Sequence, residues 1–252
     1  MTDSKICQKN SREYWQGINA DIEGMLGGFA HISDIDLKGS KRFLDSMNVG
    51  ENHNMLTRAV DCGAGNPQFA FLLNIALNPA HRHFGLLVNS QLTVGICLCS
   101  IGRITKGLLL GLAKTVDIVE PIVKFSNVLK GTKGVGEIYS VGLEDWSPTT
   151  KYDLVWNQWC LGHLTDTQLL VHLKKCAEIL TPGGFIVVKE NLSTTQEDVF
   201  DDLDSSVTRT EEKFLELFER SGLELRKMQT QKGFPKGLYP VKTFALASNK
   251  IC

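Results

Sequence analysis

Nowhere in this 252-residue chain do about 18 apolar residues run together, the least that carries a helix across a bilayer, so no membrane span is expected. An excess of one charge is missing too. The 27 lysines and arginines meet 28 aspartates and glutamates, and a net charge of −1 argues against a general nucleic-acid or membrane-surface role. The seven cysteines are odd in number and scattered, and no secretory signal accompanies them; a reducing intracellular compartment is expected rather than a disulfide framework. Cys97 and Cys99 with His81 and His83 match no zinc spacing, so no metal is expected. There is no internal repeat or low-complexity tract. The length suits one domain, 1–252, with an ample core.

Charge is absent most sharply from one place. Residues Asn66 to Ser100 hold a single charged residue, Arg82, while the rest of the chain is ordinarily charged. Apolar runs there (Phe69 to Leu77, Phe84 to Val88, Leu92 to Cys99) keep neither a helical nor a strand period. Surface loops are usually polar, so the block reads as an atypical insertion, best explained as translated intron sequence. Gly65-Asn66 can be encoded with GT at the junction, Cys99-Ser100 as TGC-AG, and the length is a whole number of codons. A lid or partner loop is the alternative.

What is present outside the block alternates strand and helix. Ala59 and Val60 run into Asp61-Cys62-Gly63-Ala64-Gly65, a strand ending in a glycine turn, and Gly102 to Leu110 supplies the helix that should follow. Strands are expected at 116–119, 137–141, 152–156 and 185–188, with helices at 121–130, 164–180 and 213–221. Thr165-Asp166 reads as an N-cap, and Thr181-Pro182-Gly183-Gly184 as the turn after the 164–180 helix. Two late strands, near 223–228 and 241–246, form an antiparallel pair joined by the loop 232–239. The pattern predicts an α/β fold with a doubly wound, mainly parallel sheet.

In such sheets ligands sit beyond the carboxyl ends of the strands. Glu120 follows one strand, where an acid accepts ribose hydroxyls; Leu143, Glu144 and Asp145 follow another, where an adenine edge can rest. Arg103 offers a planar fork for a carboxylate. Ribose acid, adenine contact and carboxylate clamp together suit S-adenosylmethionine better than a dinucleotide, which needs amides and room for a pyrophosphate. A solvated helix cap and a plain surface arginine are the ordinary alternatives for Glu120 and Arg103.

Several segments occur in one order along the chain: YW at 14–15, GMLGGFAHIS at 24–33, DCGAG at 61–65 with IGRITK at 101–106, WNQW at 156–159, GHLTD at 162–166, LTPGG at 180–184, VKEN at 188–191, DDLDSSVTR at 201–209 and LYPV at 238–241. With these the chain resembles the eukaryotic protein α-N-terminal methyltransferases, and its VEP and KEN variants lean toward the fungal branch. The resemblance covers about residues 12–247 without the block. It implies a class I methyltransferase Rossmann-like sheet with an antiparallel C-terminal hairpin and an N-terminal helical extension. It also implies methylation of the α-amino group of Xaa-Pro-Lys proteins, ribosomal proteins among them, in the cytoplasm and also the nucleus. By position it places S-adenosylmethionine against Gly63, Gly65, Arg103, Glu120, Leu143, Glu144 and Gln158. It places substrate against Trp15, Leu26, Gly27, Trp159, Asp201, Ser206 and Tyr239, and catalysis on Asp204, Asn191 and His163. The residues agree: Trp15 and Trp159 offer faces for a proline ring, and Glu197, Asp198, Asp201, Asp202 and Asp204 suit a cationic peptide. The split glycine turn is the departure from the pattern. Two other readings stay open, a catalytically impaired pseudoenzyme and a class I methyltransferase for a small molecule or an internal lysine.

Overall fold

Consecutive apolar residues in the central strands (Ala59-Val60, Leu154 to Trp156, Phe185 to Val188) require cover on both faces of a sheet, and that is how the chain folds. The structure, a computed structural model, describes residues 2–50, 53–64 and 102–249. The uncharged block 66–100, with its cysteines and histidines, lies outside the described residues. The N-terminal extension is helical: a 3-10 turn, then α1 (Gln8–Gly17), α2 (Ile22–Met25) and α3 (Ser33–Asp45). The sheet and its helices follow as β1 (Leu56–Cys62), α4 (Arg103–Gly107), β2 (Ala113–Val119), α5 (Val123–Ser126), β3 (Val135–Tyr139), β4 (Tyr152–Gln158), α6 (Asp166–Glu178) and β5 (Leu180–Asn191). A small hairpin, β6 (Val199–Asp201) and β7 (Ser206–Thr208), precedes α7 (Glu211–Arg220), β8 (Leu223–Thr230) and β9 (Val241–Ser248).

The main sheet runs in the order β3-β2-β1-β4-β5-β9-β8. The first five strands are parallel, and β9 is antiparallel to both β5 and β8. Strand order reverses between β1 and β4, which opens a crevice beyond their carboxyl ends. Successive residues alternate between two cores. Val60, Val155, Ile186 and Val188 pack with Leu169, Leu173, Phe214 and Phe218 of α6 and α7, whereas Ala59, Leu154, Trp156 and Val187 pack with Phe43, Leu44 and Ile104 of α3 and α4.

The two halves of the glycine turn meet. The Gly102 amide donates to the Ala64 carbonyl at 3.3 Å, and the Thr105 hydroxyl donates to Asp61 Oδ2 at 2.6 Å, so α4 sits directly on the end of β1. Gly102 has φ +82°, and a Cβ there would run into the Leu129 side chain, so only glycine serves.

Three expected elements are altered. The helix expected over 102–110 is the single turn α4 followed by a 3-10 turn, Leu109–Gly111. The one expected over 121–130 shrinks to α5 and another 3-10 turn, because the Ile122 amide goes to the Glu120 carboxylate at 2.7 Å instead of opening a helix. The turn at 181–184 exists, but inside β5: Tyr152 faces Leu180 and Leu154 faces Phe185, so four residues loop out against one. Gly183, at φ +81°, makes that bend. Helix α6 starts as expected. The Thr165 hydroxyl accepts the Gln168 amide at 3.2 Å and the Gln168 side chain accepts the Thr165 amide at 2.9 Å, a complete capping box. Thr165→Ala is expected to cost about 1 kcal/mol in urea unfolding, with Thr165→Ser close to the parent; an unmoved midpoint in the alanine variant means that solvent replaces the cap without loss.

Candidate active site

At the reversal of strand order a small cavity is walled by Gly63 after β1, by Val119, Pro121 and Ile122 at the end of β2 and beyond it, by Gly142, Leu143 and Glu144 after β3, and by Cys160, His163 and Leu164 after β4. Gln8, Ser11, Arg12 and Trp15 of α1 close its outer side. Gly63 stands at φ +80°, and a Cβ on Gly142 would meet the Glu144 carboxylate; the walls keep backbone close to whatever fills the space. The position at the strand reversal and the mixed lining suit a small-molecule site.

Helix α1 is fixed to this crevice by polar contacts that the sequence did not foretell. The Cys7 amide donates to Ser205 Oγ at 2.8 Å, Ser11 Oγ and His163 Nδ1 share a hydrogen bond of 2.9 Å, and the Arg12 guanidinium pairs with Glu144. The turn bearing His163 is held from below. Glu190 accepts the amides of Cys160 and Leu161 at 2.9 and 3.0 Å, and buried Arg209 donates to the Leu161 carbonyl while pairing with Asp166 at 2.9 Å. Burial pushes the Glu190 carboxyl up to about 7, against those amides.

Of the residues expected at the cofactor, Gly63, Leu143 and Glu144 line the cavity. Glu120 is fully buried at the end of β2, with one oxygen on the Ile122 amide. Gly65 lies outside the described residues. Arg103 and Gln158 are brought together by a residue that sequence reasoning missed. Asp36 of α3, fully buried, accepts Arg103 Nη1 at 2.6 Å and Gln158 Nε2 at 2.9 Å on Oδ2, and Lys189 Nζ lies 2.5 Å from Oδ1. Burial alone would raise the Asp36 carboxyl, but Lys189 and then Arg103 outweigh it and hold it below the usual range. A signal existed: Asp36, Ser40 and Phe43 share the helical spacing of the buried face of α3, and Lys189 interrupts an apolar strand.

The residues expected at the substrate divide. Trp15 walls the cavity edge-on to His163, with ring centres 6.3 Å apart. Asp204 is 4 % exposed, accepts the Ser206 hydroxyl at 2.5 Å, and neighbours Ser205, which stands at a left-handed φ of +57°. Burial and then the Asp204 and Asp201 carboxylates raise the Tyr14 hydroxyl, and burial and then Asp201 raise that of Tyr239, so both aspartates act on Tyr14 and Asp201 alone on Tyr239. Asn191 ends β5 beside Val241. Gly27, at φ +52°, occupies an exposed turn next to buried Leu26. Trp159 departs from expectation. Its ring offers no open face for a proline, being fully buried with Leu26, Ile32 and Val241 beneath the Arg103 guanidinium 5.3 Å away. Its backbone, at φ +54°, stores strain at the end of β4. Asp198 is likewise committed, accepting the Thr210 amide at the start of α7. Burial lowers His163 to about 4, with Ser205, Glu144 and Asp201 opposing, so its imidazole is neutral near pH 7.

A family model described as AdoMet dependent proline di-methyltransferase matches residues 3–78 and 80–247. The chain belongs to that family. Alpha N-terminal protein methyltransferase 1 of Schizosaccharomyces pombe is 38% identical over 242 residues, 93% of each chain. N-terminal Xaa-Pro-Lys N-methyltransferase 1 of Xenopus tropicalis is 36% identical over 244 residues, 94% of this chain and 93% of its own. Among solved structures, a SAM-dependent methyltransferase of Leishmania major matches with a TM-score of 0.74 at 32% identity, covering 94% of this chain and 82% of that one. A Burkholderia thailandensis N-methyltransferase at 12% identity and TM-score 0.56 shares the fold alone. The protein is therefore a methyltransferase with a class I fold, and no helix among the described residues is long and apolar enough to cross a membrane.

Burial also pushes the Asp204 carboxyl up to about 6, from an ordinary value near 3.8. The folded protein thus holds this proton more tightly than the unfolded chain, and stability falls as pH rises from about 4 through about 6. Asp204→Asn removes the ionisation and keeps an acceptor for Ser206. It is expected to stabilise the fold at pH 7 by on the order of 1–3 kcal/mol, with the gain shrinking toward pH 4. Melting both proteins across that range tests this, and identical Tm values at pH 7 contradict it.

Proposed function

We propose that this protein transfers methyl groups from S-adenosylmethionine to the α-amino group of proteins beginning Xaa-Pro-Lys. The substrate class comes from the relatives, one of which is named for it. What carries the reading on this chain is the buried carboxylate of Asp204, beside Asp201 and facing Tyr14, next to the crevice that Trp15 and His163 wall. A small neutral substrate has no use for paired carboxylates there; a cationic peptide terminus does.

When bound, S-adenosylmethionine supplies an electrophilic methyl group. Gly63, Leu143, Glu144 and Glu120 would hold its nucleoside end, and Arg103 with Gln158 its amino-acid end. Glu144 would then exchange its Arg12 partner for the ligand. The protein's remaining task is to present a neutral amine in line. An α-amino group has a pKa of about 7.7–8.0, so roughly a tenth is neutral at pH 7 and deprotonation recovers only about a factor of ten. Alignment is worth far more, up to about 7–11 kcal/mol in the best cases. Asp204 and Asn191 therefore chiefly orient the amine. The proton goes to Asp204 or His163, directly or through water.

A Ser-Pro-Lys peptide is expected to gain methyl groups on its α-nitrogen, read by fragment mass spectrometry, and an N-acetylated copy to gain none. Methylation of the lysine side chain instead overturns the substrate assignment. Asn191→Ala is expected to lower kcat while cofactor affinity stays within a few-fold, and Trp15→Ala to raise the peptide KM; loss of cofactor affinity with turnover intact would reverse those roles.

Residues 66–100 we take to be intervening sequence that the enzyme does not need. Closing the chain over 35 residues costs about 3 kcal/mol. A chain lacking them is expected to methylate the same peptide and to unfold at higher denaturant. Loss of turnover on removing them would make the block part of the enzyme.

A further inference from the structure

We propose that Asp36 is a positioning residue for the cofactor: its carboxylate fixes Arg103 and Gln158 in place, and Lys189 supplies the charge that lets it do so inside the protein. The inference rests on the reading that Arg103 and Gln158 hold the amino-acid end of S-adenosylmethionine.

The geometry is specific at each group. Asp36 Oδ2 takes one N–H of Arg103 at 2.6 Å, and the Trp159 ring lies under the guanidinium at 5.3 Å, so the fork is held along an edge and across a face. A guanidinium has five N–H donors in a rigid plane, and fixing that plane leaves the remaining donors aimed. Gln158 is held at both ends: Nε2 donates to Asp36 Oδ2 at 2.9 Å, and Oε1 accepts Trp156 Nε1 at 3.0 Å. Both oriented groups thus depend on one carboxylate oxygen.

The other oxygen answers to Lys189. Its ammonium, itself fully buried, reaches Asp36 Oδ1 at 2.5 Å, Ser40 Oγ at 2.9 Å, Gln231 Oε1 at 3.0 Å and the Asp36 carbonyl at 3.2 Å. These bonds stop the carboxylate from swinging away with α3. A carboxylate placed only to stabilise the fold needs no contact with Gln158 or with the fork; this one has both. Asp61, the other buried acid near Arg103, is occupied by the Thr105 hydroxyl and makes no such bridge.

The test is calorimetric titration with S-adenosylhomocysteine, joined to peptide kinetics. Asp36→Asn is expected to weaken binding roughly tenfold, within the range by which contacting residues couple. Cofactor KM should rise in step while kcat at saturating cofactor stays within about twofold. Combined with Arg103→Met, it should add less than its own loss in the parent, because only the route through Gln158 is left. Asp36→Glu keeps the charge opposite Lys189 but moves the carboxylate by one methylene; it should keep a cooperative melting transition, at a lower Tm, and bind weakly, which keeps the question answerable if the asparagine variant does not fold. Parental affinity in either variant, or losses that multiply with Arg103→Met, overturns the positioning role. If Arg103→Met itself binds as the parent does, it is the assignment of Arg103 to the cofactor that falls, and this inference with it.

Discussion

A carboxylate with no solvent must be matched on every side, and Asp36 is matched by four pieces of the chain that are far apart in sequence. Arg103 comes from α4, Gln158 from the end of β4, Lys189 from β5, and Gln231, through Lys189, from just beyond β8. Removing one partner of a buried ion pair typically costs 3–5 kcal/mol, because the other is left uncompensated. Such a group tolerates only one arrangement of its neighbours. The extension before the sheet is thereby locked to the carboxyl ends of the strands, where the crevice opens.

Division of labour follows from that lock. The sheet supplies the parts common to class I methyltransferases, since neighbours of very low identity share it. The extension closes the outer side of the crevice. Through Cys7, Ser11 and Arg12, α1 and its N-cap touch the acid hairpin, the histidine turn and the wall after β3. One helix therefore ties together three parts of the chain that are far apart in sequence.

Much of this was legible in the chain. Continuous apolar strands, glycine punctuation and the capping residue Thr165 give the parallel sheet and α6, because each depends on neighbours within a few positions. Motif order set Trp15 and His163 in one expected site, and both line the crevice. Less legible was anything settled by distant partners. Gly102 to Leu110 carries a helical pattern, yet sheet packing leaves one turn of it α-helical. Trp159 reads as a platform, yet Leu26 and Arg103 cover it. Asp36 is passed over in the sequence and is found turned inward on α3, and Arg103 reads as waiting for a ligand when the protein already holds one edge of it.

The hydrogen bond from Gly102 to Ala64 carries a consequence for how the molecule divides. Among the described residues, the part that ends at Ala64 and the part that begins at Gly102 meet through the β1 ladders on both sides, Thr105 on Asp61, and Asp36 on its three partners. The crevice therefore opens along a seam between early and late parts of the chain, and a change on one side of that seam is felt on the other.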